Sequence, residues 1–104
     1  MDKRKDKVVR QFVAVVRGTI SPCRIILFGS RAKGVARKDS DYDFLLISPV
    51  FTQWEFEERG AKIYRLKREI PAAMDILCYT PAEFEQKKQM LGIVQEAVKR
   101  GVEV

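Results

Sequence analysis

The chain has 104 residues, of which 46% are hydrophobic and 33% charged, and its net charge is 20 − 14 = +6. That length implies one domain over residues 1–104 with a single modest core, and that composition excludes a disordered chain. There is no histidine, and the two cysteines, Cys23 and Cys78, sit in apolar stretches; this removes Ser-His and Cys-His nucleophiles and histidine metal sites, and leaves oxygen ligands for magnesium, manganese or calcium as the route to a metal.

The first predicted element is a helix over Lys3 to Arg17. Val8 or Val9, Phe12, Val13 and Val16 fall on one face, and Gly18 stands where a left-handed cap would close it. Pro22 opens a strand over Cys23 to Phe28, whose unbroken apolar run implies burial on both faces. Gly29-Ser30 breaks that strand, and a basic segment follows with Arg31, Lys33, Arg37 and Lys38. A second strand begins near Asp41. Alternation puts Asp41 and Asp43 on one side and Tyr42, Phe44 and Leu46 on the other.

Pro49 ends that strand. Thr52 and Glu55 have capping-box spacing and Phe51 and Phe56 staple spacing, which predicts a helix from there to about Ile70 with Trp54, Ile63, Leu66 and Ile70 buried. Pro71 stops it. A third strand covers Ala73 to Tyr79, with Asp75, Leu77 and Tyr79 on one side and Met74, Ile76 and Cys78 on the other. Thr80 and Glu83 repeat the capping box, with Pro81 at the first helical position and Tyr79 spaced to meet Phe84, so a helix runs to about Gln89. A last helix spans Met90 to Arg100, with Gly92 as its break and Gly101 as its cap, and Val102 to Val104 can add an edge strand. The order α-β-β-α-β-α-α gives the fold class as α/β, a sandwich on a small mixed sheet.

The chemistry concentrates between Gly29 and Asp75. Gly29 lets backbone amides approach a phosphate, Ser30 adds a hydroxyl at the start of a helical turn, and Arg31 and Lys33 add cationic donors. Asp41, Asp43 and Asp75 supply three hard oxygen ligands, which is the donor set of a two-metal phosphoryl-transfer site. Each feature also has a plainer reading. The Gly-Ser pair can be an ordinary turn, Asp41 and Asp43 can cap that turn or pair with Arg37 and Lys38, and Asp75 can pair with a lysine at a strand edge. Tyr42 reads as a packing residue, with self-modification as the other possibility. The basic charge can be solvated surface, or a nucleic-acid-binding face.

Gly29-Ser30, ten intervening residues, then Asp41-Tyr42-Asp43 resembles the signature of the DNA polymerase β-like nucleotidyltransferases without insertion or deletion. The short chain, with GSRAKG through SDYDF and a third aspartate on a following strand, is similar to the minimal nucleotidyltransferases, including the antitoxins of HEPN/MNT toxin–antitoxin pairs. The resemblance implies the polymerase β-like nucleotidyltransferase fold, a small mixed sheet with helices on one side. It implies two magnesium ions, with manganese as the substitute, on Asp41 and Asp43, with Asp75 helping to bind one ion and activating the acceptor. Gly29 and Ser30 would hold the triphosphate of ATP, with Arg31 and Lys33 beside it. The implied reaction is transfer of AMP to a hydroxyl, a tyrosine of a HEPN-domain toxin that is itself a ribonuclease, within a homo- or hetero-oligomer. The alternatives are a non-catalytic module that silences a partner by binding it, and a basic nucleic-acid-binding module. No apolar run approaches the roughly 20 residues of a membrane span, and the basic start MDKRKDK lacks the apolar stretch of a secretory signal, so a cytoplasmic protein is expected.

Overall fold

The apolar runs become the strands of one sheet in a computed structural model that describes residues 5–34 and 40–104. Strands β1 (Arg24–Phe28), β2 (Tyr42–Ile47), β3 (Met74–Tyr79) and β4 (Val102–Glu103) lie in the order β3-β2-β1-β4. β1 runs antiparallel to β2 and to β4, whereas β2 and β3 are parallel. The parallel pair requires a crossover, and a 3-10 turn (Pro49–Gln53) with the helix α3 (Phe56–Leu66) provides it. No helix among the described residues is long and apolar enough to cross a membrane.

Helix α1 spans Lys7–Arg17, starting on Asp6, whose carboxylate accepts from the amides of Val8 (2.8 Å) and Val9 (3.2 Å). The expected start at Lys3, with Arg4, lies outside the described residues, as do Arg37 and Lys38. Val9, Phe12 and Val16 are buried, and the Phe12 ring stacks on Phe44 at 4.4 Å between centroids. Gly18 is not a left-handed cap. Its φ is −67°, and the chain keeps turning the right-handed way as the amides of Gly18 and Ile20 bond to Ala14 and Val16. That last turn buries Ile20.

Helices cover both faces of the sheet rather than one. β2 buries Phe44, Leu45, Leu46 and Ile47 in succession, and such a run needs apolar cover on each side. On one face Ile25, Leu27, Phe44, Leu46, Met74 and Cys78 pack with α1 and α3. On the other, Ile26, Leu45, Ile47 and Tyr79 pack with Phe84 of α4 (Pro81–Lys87) and with Val94 and Ala97 of α5 (Ile93–Arg100).

The capping box expected at Thr52 and Glu55 does not form. The Ser48 hydroxyl donates to the Pro22 carbonyl (2.6 Å) and accepts from the Val50 amide (3.1 Å), so a turn begins on Pro49 and buries Phe51. Trp54 is then extended, and α3 starts at Phe56 with Glu55 as its N-cap. The helix ends at Leu66, short of Ile70; Ile63 and Ile70 are buried, while Trp54 and Leu66 are half-buried. The second box does form: the amide of Thr80 donates to Glu83 (2.8 Å) and that of Glu83 to Thr80 (3.2 Å). Gly101 ends α5 for a steric reason, because a β-carbon there would strike the Ala97 and Leu27 carbonyls and the Ile26 side chain. β4 then pairs with Ile26 and Leu27, and Glu103 bridges Arg24 at 3.0 Å.

Candidate active site

Strand register assembles the site. Phe28 pairs with Asp43 and Asp43 pairs with Asp75, so three side chains form one row across β1, β2 and β3. Asp43 shares its side of β2 with Leu45 and Ile47, and Asp75 shares its side of β3 with Leu77 and Tyr79. Those four apolar residues meet the α4/α5 cluster. The two aspartates extend the same columns past that cover, Asp43 half-buried and Asp75 exposed. Asp41 continues the β2 column by one more position and is exposed just before the strand.

The row ends against the turn that closes β1. Gly29 has φ +73°, and a β-carbon on it would collide with the Asp43 carboxyl. Only glycine lets the backbone pass this close to that acid in this conformation. The short helix α2 (Gly29–Lys33) follows and closes on Gly34, φ +76°, whose amide donates to the Ser30 carbonyl. Its N-cap is Phe28, which makes no side-chain cap hydrogen bond. Gly29 and Ser30 are half-buried and Lys33 is exposed.

Arg31 points toward β2. Its guanidinium donates twice to the Ser40 carbonyl (2.8 and 3.2 Å) and lies 4.2 Å from the centre of the Tyr42 ring. Tyr42 packs, as expected. It is buried and its hydroxyl donates to the Asp6 carboxylate at 3.0 Å. Asp6 therefore caps α1 and anchors the start of β2 at once. Sequence reading missed this role, although an aspartate just before an apolar helical period is an N-cap signal.

Charge crowds at the row. Burial, then the charges of Asp75 and Asp41, together with a hydrogen bond to Asp75, push the Asp43 carboxyl above its usual range. Among the described residues no three acidic or thiol side chains converge on one point as a ready metal site. What the fold does bring together is the pair Asp43 and Asp75, with Asp41 in electrostatic range. Crowded hard oxygen donors with unfavourable mutual repulsion suit a divalent cation of the magnesium or manganese type. A hollow of about 430 Å³, lined by Thr19, Trp54, Lys62 and Leu66, opens on the α1/α3 side of the sheet and bears no acidic pair of this kind. The register of Asp43 against Asp75, not cavity size, marks the site.

Several solved structures share the fold. A candidate nucleotidyltransferase from Sulfolobus solfataricus superposes with a TM-score of 0.66 at 21% identity, over 93% of this chain and 76% of that one. A toxin–antitoxin structure with AMP-PNP gives 0.65 at 18%, over 90% of this chain and 69% of that one. BolA1 from Arabidopsis thaliana gives 0.61 at 17%, over 75% of this chain and 96% of that one. These names differ, so shape alone does not assign an activity. No curated protein matches the chain. A sequence profile described as "Nucleotidyltransferase domain" matches residues 9–104, a span that includes the Gly29 turn and all three aspartates. Sequence and shape agree, and the chain belongs to the nucleotidyltransferase domain family.

Proposed function

We propose that this nucleotidyltransferase moves AMP from ATP to a hydroxyl group of a partner protein, with Asp41, Asp43 and Asp75 as the ligands of one or two Mg²⁺ or Mn²⁺ ions. The observation that carries this reading is the contact row: Asp43 stands against the Gly29 backbone on one side and opposite Asp75 on the other. The glycine turn and the acidic pair thereby lie together at one end of the sheet. The cations would neutralise the triphosphate and lower the pKa of the acceptor hydroxyl.

The chain's own residues do the rest. The amides at Gly29 and Ser30, the Ser30 hydroxyl and Lys33 receive the triphosphate tail, while Arg31 adds positive charge and keeps α2 against β2. The acceptor oxygen forms a bond to the α-phosphorus as the bond from that phosphorus to the bridging oxygen breaks. Pyrophosphate leaves with the bonding pair, and the acceptor proton passes to the Asp75 carboxylate. Exposure of Asp75 leaves room for an acceptor carried by another protein.

The test is to incubate the protein with α-labelled ATP, Mg²⁺ and the product of the neighbouring reading frame. Label should appear on that partner, and Asp43→Ala should abolish the transfer. An unlabelled partner with the wild type would sink the reading. The resemblance of Gly29-Ser30 and Asp41-Tyr42-Asp43 to the minimal nucleotidyltransferases, beside a fold neighbour named as a toxin–antitoxin, supports a finer version, in which the partner is a HEPN-type ribonuclease toxin modified on a tyrosine. If Asp41→Ala plus Asp43→Ala loses transfer yet still protects cells from the toxin, neutralisation is by binding alone.

A further inference from the structure

β3 is an edge strand, and the site's second aspartate sits on it. Tyr42 donates its amide to the Ala73 carbonyl and Ser48 donates to the Tyr79 carbonyl, so the odd-numbered residues of β3 turn their backbone groups toward β2. Met74, Ile76 and Cys78 turn theirs to the open side. Unpaired edge groups invite slippage or pairing with another chain. Two side chains of α3 meet them here. Arg59 donates to the Cys78 carbonyl at 3.2 Å, and the Tyr64 hydroxyl donates to the Met74 carbonyl at 2.7 Å.

The Tyr64 contact falls on the peptide unit joining Met74 to Asp75. Burial first, and then the charge of Asp75, raise the Tyr64 pKa, which is consistent with the two lying close.

We propose that Tyr64 is the positioning residue for Asp75: its hydroxyl replaces the missing neighbour strand at Met74 and fixes the rotation of β3 that aims Asp75 at Asp43. The inference rests on the nucleotidyltransferase reading above. Asp43 is held through β2, inside the sheet, and by contact with the Gly29 turn. Asp75 has a strand on one side only, so without Tyr64 its peptide is free to twist toward solvent. Tyr64 touches neither of the acids through a hydrogen bond of its own and takes no proton in the reaction.

The experiment compares wild type, Tyr64→Phe and Val16→Ala, a core variant on α1 chosen to match the loss of thermal stability. Transfer of AMP to the partner is followed with MgATP varied, and Mn²⁺ binding is followed by titration calorimetry. Tyr64→Phe keeps the ring and should lower kcat about tenfold or more, since misplacement of a reacting group by about 1 Å can cost a hundredfold. KM for ATP should stay within about twofold, because the Gly29 cradle is untouched, and Mn²⁺ binding should weaken. Val16→Ala should change neither below its melting temperature. An active wild type whose kcat and Mn²⁺ affinity survive Tyr64→Phe overturns the inference while leaving the functional reading intact. A wild type that neither transfers AMP nor binds Mn²⁺ overturns both.

Discussion

A β-carbon on Gly29 would have to share space with the Asp43 carboxyl. The two residues are 14 positions apart in sequence and belong to the turn after β1 and the start of β2, which the antiparallel register brings level. The pair explains why a glycine precedes the serine: the left-handed backbone and the close approach both exclude a side chain. Gly29→Ala should therefore destabilise the fold by more than the 1–2 kcal/mol of a left-handed alanine, because the clash adds to the backbone cost. In an Asp43→Gly background the clash is gone and the cost should shrink toward the backbone value alone. Urea unfolding of the four proteins of this cycle measures the coupling, and a coupling near zero would show that the two residues do not compete for space.

Asp43 lies where the site's function opposes its stability. Its folded pKa is raised above the usual 3.8, so protonation favours the fold; that stability is present below pH 3.8 and is lost as pH rises through the folded pKa. Burial and the neighbouring charges of Asp75 and Asp41 disfavour the ionised form of this carboxyl in the folded protein. Asp43→Asn should raise the melting temperature at pH 7 in EDTA, by no more than a few degrees because water screens a half-buried site. Added Mg²⁺ should stabilise the wild type by mass action and leave Asp43→Asn unmoved. Differential scanning calorimetry with and without Mg²⁺ reads both effects, and an equal response of the two proteins would remove Asp43 from the ligand set.

Strands and their faces were legible because each carries one dominant signal. The alternation in Tyr42–Ile47 and Met74–Tyr79 sorted the core residues of each strand onto its two faces, whereas the register that sets Asp43 level with Asp75 needed the assembled sheet. The capping box at Thr80 was legible for a similar reason: no competing cap lies near it. The box at Thr52 failed because Ser48, four residues earlier, caps first, and its hydroxyl is committed by a tertiary bond to Pro22 that no local pattern displays. Gly18 misled because its place after the last helical residue fits a left-handed cap, but burying Ile20 requires another right-handed turn. The contact of Tyr64 with the β3 edge and that of Tyr42 with Asp6 join distant segments, so they needed the packed structure.

Arg59 offers a test of the crossover helix. It is 6% exposed and donates to Glu83 (2.6 Å) and to the carbonyls of Cys78 and Trp54, which ties α3 to β3 and to the start of α4. The guanidinium holds the Glu83 carboxyl below its usual 4.5, so the stability of this bridge is present above pH 4.5 and is lost as pH falls through the folded value. Glu83→Gln at pH 7 should cost about 1–2 kcal/mol, less than a fully buried pair would because the Glu83 side chain is 38% exposed. The gap between wild type and variant should narrow as pH drops below 4.5, where the wild type loses the same charge. Urea midpoints at pH 7 and pH 3 check the sign; a gap that widens in acid would contradict it.

The two thiols lie in the same core layer, under α1 and α3, and report on how that layer opens. Burial pushes Cys78 up to about 12 and Cys23 up to about 11, the latter offset slightly by Arg17. At pH 8 the thiolate fraction of each is then about a thousandth or less in the folded protein, so native modification by a disulfide reagent must await opening. Cys78 is inside β3, under α3, and its release requires the crossover to part from the sheet. Cys23 precedes β1, outside its ladder, so a local opening suffices. Cys23 should therefore react first in native buffer and Cys78 only at the rate of global unfolding, with both reacting at once in concentrated urea. Peptide mapping after timed labelling separates the two, and simultaneous slow labelling would mean that the segment before β1 opens only with the whole domain.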